Sequence, residues 1–204
     1  MSILGCRVAK YLALSAMLMV PLFADAWQTA GASQPASAPS SGMRAEFLAD
    51  LQSQQQRFVS LAQAIPAEKY TWRPGEGVRS VSEVLLHVAA ANYNLPTLFG
   101  VAPPAGFKVQ GFDKSTTDKT KVIQQLQDAF AHMRDAVQAM PDSDMDKQVR
   151  FRGGMKSTRA VLTFILEHNA EHLGQLIAYA RVNGVVPPWT EEQQKKAAEK
   201  PKQQ

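Results

Sequence analysis

Four stretches of this 204-residue chain carry apolar residues at intervals of three and four, and that period limits the fold more than any other feature. Such spacing gathers the apolar groups on one side of an α-helix, so each stretch has a face to bury. Phe47, Leu51, Phe58, Leu61 and Ile65 set a first helix over 43–65, ended by Pro66. Val81, Val84, Leu85, Val88 and Ala91 set a second, with Ser80 or Ser82 as N-cap and Pro96 near its end. Val122, Leu126, Ala129, Met133, Ala136, Val137 and Met140 mark a third, between a Ser115-Thr116-Thr117 cap region and Pro141. The fourth runs from Thr158 to Val182, with Val161, Phe164, Ile165, His168, His172, Leu176 and Tyr179 in one stripe and Gly184 placed to end it. Four long amphipathic helices bury their stripes together as an all-α four-helix bundle.

The connections add information about topology. Roughly 15 residues, Tyr70, Trp72, Arg73, Pro74 and Gly75 among them, join helices one and two, and a similar Gly/Pro-rich stretch joins two and three. Those lengths allow a crossover in place of simple up-down hairpins. The segment 147–154 before helix four alternates like one short strand or an extended loop. No internal repeat is present.

The ends read differently from the middle. Residues 1–26 have the parts of an export signal: Arg7 and Lys10, an apolar run from Tyr11 to Phe23, and Ala24-Asp25-Ala26 as the cleavage site. The run is about 13 residues, short of the ~20 that span a bilayer; the alternative is an uncleaved anchor. Residues 27–42 are a small, Pro/Ser-rich linker, and 191–204 form a Lys/Glu/Gln tail, frayed helix or disordered. The bundle therefore occupies 43–190, a usual size for a single core. The expected product is exported, periplasmic or secreted, a monomer or homodimer with no stable membrane span after cleavage.

Cleavage removes Cys6, the single cysteine, which leaves no disulfide, no thiolate nucleophile and no Cys-ligated zinc. Any metal must use histidine and carboxylate. The leader carries Arg7, Lys10 and Asp25, so the formal net charge of +4 becomes +3. That balance is too mild and too scattered to argue for nucleic acid.

His168 and His172 stand one turn apart in the stripe of helix four, offset by about 40°, close enough to share one ion. Buried imidazoles need a partner for each ring nitrogen, and a metal supplies one. His87, beside Val84 and Ala91 on helix two, has two readings: a further ligand, or a core histidine bonded to backbone or to Glu83 one turn earlier. His132 lies off the apolar face of helix three, one turn after Asp128, and reads as a solvated surface residue. Glu167 and Glu171 fall outside the stripe as exposed helix formers. Gln175, three residues after His172, is placed to support it from behind. Tyr93 and Asn94 are the further polar neighbours for substrate contact, while Tyr70 and Trp72 read as packing residues or the mouth of a pocket.

The segment Ser80-Val81-Ser82-Glu83-Val84-Leu85-Leu86-His87-Val88-Ala89, preceded by Trp72-Arg73-Pro74, together with His168-Asn169-Ala170-Glu171-His172-Leu173-Gly174-Gln175, resembles the DinB-like superfamily of metal-binding four-helix bundles, also called bacillithiol-transferase-like. The resemblance covers about residues 43–189. It implies that His87, His168 and His172 bind one divalent cation with an open coordination position, for which Zn, Ni, Fe, Co and Mn are all suited. It also implies a hydrolase or a transferase acting on a small molecule, some relatives using low-molecular-weight thiols; such thiols are scarce outside the cytoplasm, where the leader would send this chain. Two other readings stay open: a noncatalytic, stress-associated protein in which the ion closes the bundle, and a bundle whose histidines are structural.

Overall fold

The computed structural model describes residues 42–199; the leader, the linker up to residue 41 and residues 200–204 lie outside the described residues. Helix α1 spans Met43–Ala64, α2 Val81–Asn94, α3 Lys119–Gln138, α4 Thr158–Val182 and α5 Pro188–Glu199, with strands β1 (Gln148–Phe151) and β2 (Gly154–Ser157) just before α4. Among the described residues no helix is long and apolar enough to cross a membrane.

Helices α2, α3 and α4 begin where the sequence offers a side-chain acceptor for orphan backbone donors. At α2 the Glu83 amide donates to Ser80 Oγ (3.3 Å) and the Ser80 amide to the Glu83 carboxylate (2.7 Å), a complete capping box. Asp118, not the Ser/Thr run before it, caps α3 by accepting from the Lys121 amide at 2.9 Å. Ser157 caps α4. The other end of α4 closes on Gly184 at φ +76°, whose left-handed backbone lets the Val185 amide reach back to the Ala180 carbonyl at 2.8 Å. Lys119 donates to the Gln63 and Ile65 carbonyls at 2.7 and 2.8 Å, which satisfies the last turn of α1.

The helices pack as a ring in which α1 touches α3 and α4, and α2 touches the same two. Consecutive helices α1 and α2 are therefore diagonal, and the segment 65–80 crosses the bundle between them, as its length allows. It is no loose loop. Tyr70 is fully buried and its hydroxyl donates to the Ala62 carbonyl at 2.7 Å, while the Ser82 amide donates to the Tyr70 carbonyl at 2.9 Å. The core runs along the seams, with Phe58 of α1 and Phe130 of α3 in ring contact at 5.7 Å, both fully buried.

Two regions are more ordered than the sequence conveys. The segment 147–154 is the first part of an antiparallel hairpin, not a lone strand, and Phe151 packs its ring on Phe164 of α4 at 5.0 Å. The charged end is helical as far as Glu199: Trp189 packs against the core and receives the Arg57 guanidinium over its ring at 4.5 Å, which ties α5 to α1.

Candidate metal centre

Helices α2 and α4 lie side by side, and the stripe of each carries histidine at the same level. His87 Nε2 and His168 Nε2 are 3.2 Å apart, and the His172 ring lies 4.8 Å from that of His87 and 4.6 Å from that of His168. One ligand atom from each falls within 4.8 Å of the others. Nitrogens bonded at 2.0–2.1 Å to a tetrahedral ion stand about 3.3 Å apart, so the three imidazoles fit a single divalent cation. They are also in the state that binds one. Burial, then the Arg79 charge and His172, push His87 down to about 4; burial, then His172 and His87, push His168 down to about 4. Both rings are therefore neutral at neutral pH and present a lone pair.

His172 is oriented by a chain of hydrogen bonds whose direction can be followed from its far end. The Tyr179 hydroxyl donates to the Arg79 carbonyl (3.2 Å), so its oxygen accepts from the Gln175 amide nitrogen (2.8 Å). That turns Gln175 Oε1 toward His172 Nδ1 at 2.9 Å, and a carbonyl oxygen can only accept. His172 Nδ1 must then carry the proton, leaving Nε2 bare for an ion. Support of this kind behind a ligand is worth ~10–100-fold in metal affinity. Tyr179→Phe is expected to weaken metal binding about 10-fold in a chelator-competition titration, because Gln175 loses the oxygen that fixes which way its amide points.

The three histidines form one end of a cavity of about 660 Å³, within the usual range for small-molecule sites. Asn94, two turns along α2 from His87, lines it; Gln175 lies behind His172, in the hydrogen-bond chain. Tyr93 does not line it. That ring is buried on another face of α2, among Phe107, Phe112 and His132. His132 is not a solvated residue: it is half-buried, 5.7 Å from the Tyr93 ring, and Asp128 pairs instead with Gln124 at 2.8 Å. A helical wheel ranks residues by their own helix and cannot see the Pro104–Phe112 segment that folds over this side. His87 does not turn to Glu83, whose carboxylate is held by the Ser80 amide and by Arg73 at 3.2 Å. Glu167 and Glu171 are exposed, and Glu171 reaches the rim of the cavity. Tyr70 is core, and Trp72 packs edge-on against Tyr179 at 5.3 Å.

The sequence reading missed Arg79, Asp113, Arg152 and Phe164 as lining residues. Three of them come from connections or the hairpin turn, which periodicity does not describe. The signal available was the Phe151-Arg152-Gly153-Gly154 run, a turn with an arginine where asparagine or glycine is usual.

A family model described as the DinB superfamily matches residues 50–176, more than half of the chain. The chain belongs to the DinB superfamily. Two solved structures share the fold of this DinB-superfamily chain. A DinB-like protein from Bacillus cereus ATCC 10987 is 17% identical with a TM-score of 0.62, covering 70% of this chain and 93% of its own. A DinB-like protein from Bacillus subtilis is 16% identical with a TM-score of 0.53, covering 68% of this chain and 92% of its own. No curated protein matches the sequence.

Proposed function

We propose that this DinB-superfamily chain is a metal-dependent enzyme of hydrolytic or group-transfer type, with one divalent ion on His87, His168 and His172 and an open coordination position toward the cavity. The observation that carries this reading is the convergence of three imidazoles, two of them held neutral, at one end of a ligand-sized cavity. When bound, such an ion supplies a Lewis acid that polarises a substrate oxygen or activates a nucleophile. The chain's own groups bind and orient. Gln175 and Tyr179 hold the His172 ring, the apolar wall of Ala90, Ala91 and Leu95 excludes water from one side, and Asn94 offers an amide to a substrate. The Arg7-to-Ala26 leader supports action outside the cytoplasm.

The test is elemental analysis of the untagged protein starting at Trp27, purified without chelators and again after reconstitution. About one ion per chain is expected, and in the Co(II) form azide should shift the visible absorption spectrum by entering the open position. A bound ion indifferent to azide would favour the noncatalytic reading. Absence of metal after reconstitution would overturn both.

A further inference from the structure

We propose that the cavity is built for a small organic acid whose carboxylate is held by Arg152 while a donor at its other end reaches the ion. The inference rests on the metal-binding reading above and adds the class of ligand.

The cavity's own charges balance in number but not in pairing, and Arg152 is left without a partner. Two guanidinium groups, Arg79 and Arg152, line it with two carboxylates, Asp113 and Glu171. Arg79 Nε lies 3.7 Å from Asp113, so those two offset each other. Glu171 and Arg152 are both exposed at the rim, but only Arg152 is held against the cavity wall, by its contact with Phe164. Among the described residues Arg152 forms no ion pair. A divalent ion on neutral imidazoles adds to the same sign, so the loaded cavity attracts an anion.

The backbone holds Arg152 there at a cost. Phe151 pairs with Gly154, so Arg152 and Gly153 are the two residues of the turn, and both have positive φ, +49° and +79°. This is the turn that favours Asn-Gly. Arg152 is the single non-glycine among the described residues with positive φ, a conformation unfavourable for an L-residue with a full side chain. Strain kept at a cavity wall points to a task for the side chain. The task is visible in where the guanidinium rests: its central carbon lies 4.2 Å over the Phe164 ring and 5.6 Å from the Phe151 ring. Phe164 in turn lies 5.8 Å from the His168 ring. Stacking uses the flat face of the guanidinium and leaves its N–H edge free, the edge that binds a carboxylate with two parallel hydrogen bonds. One aromatic ring thus separates the anion-binding end from the ion-binding end, and Ala90, Ala91 and Leu95 suit a short hydrocarbon between them.

The experiment uses the Co(II)-loaded chain and two probes that differ in the carboxylate: 3-(imidazol-4-yl)propionate and 4-propylimidazole. Metal content is measured first, and binding is read from the visible spectrum. The propionate is expected to bind at least 10-fold more tightly than the neutral probe. Arg152→Asn should erase that preference while folding at least as stably, because asparagine suits the turn better. Arg152→Lys should recover part of it. Equal affinities in the wild type, a preference that survives Arg152→Asn, or one lost instead in Arg79→Ala would each overturn the assignment while leaving the metal reading standing. A chain that takes up no cobalt would overturn the metal reading, and this inference with it.

Discussion

Alanine at position 168 is expected to abolish stoichiometric metal binding, and alanine at position 87 to do the same, while His132→Ala leaves it intact. Removing a supporting group behind a ligand weakens binding by ~10–100-fold, and removing a ligand removes a bond to the ion itself, so the loss should exceed ~100-fold. The geometry explains why no neighbour can step in. Glu83 is taken by the capping box and Arg73, Asp113 by Arg79, and Glu171 stands at the exposed rim. His132 is the informative control because it too is half-buried, yet it faces Tyr93 away from the cavity. The measurement is metal content of dialysed protein for the wild type and the three variants, with far-ultraviolet circular dichroism to show that each is folded. Retention of about one ion by His168→Ala would sink the three-histidine site.

The largest stability effect is expected at Phe130. Its side chain is fully buried at the α1–α3 seam and in ring contact with Phe58, so Phe130→Ala removes the apolar contact and leaves a cavity between two helices that have no loop tying them directly. Such changes cost about 3–5 kcal/mol, a large share of the ~5–15 kcal/mol that holds a domain together. In a chain of this size that lowers Tm by roughly 10 °C. Urea unfolding of wild type and variant would measure it, and a loss under ~1 kcal/mol would mean that the seam closes around the gap.

The bundle was legible because its information is periodic. Phe47 to Ile65 and Val161 to Tyr179 each place a stripe whose partner is another stripe, and α4 has the limits that Thr158 and Gly184 imply. The three histidines were legible for the same reason, since each lies in or at the edge of a stripe. What periodicity cannot convey is which non-helical segment folds over which helix. His132 looked exposed because nothing on α3 reveals the Pro104–Phe112 segment, and Arg152 was overlooked because β2, from Gly154 to Ser157, has no apolar alternation to betray a hairpin. The end from 191 reads as frayed helix or disordered, and what composition does not convey is the anchor of the 188–199 helix, Trp189.

His87 and His168 are 81 positions apart, on helices that meet only when α4 docks. A chain still being synthesised therefore has no complete ligand set, and an ion held by all three histidines would enter only once folding is essentially finished. The cation that such a site would take up is then governed by the concentrations available where folding ends. For neutral imidazole ligands that follow the Irving-Williams order, the site of folding acts as the selector that coordination chemistry alone does not provide.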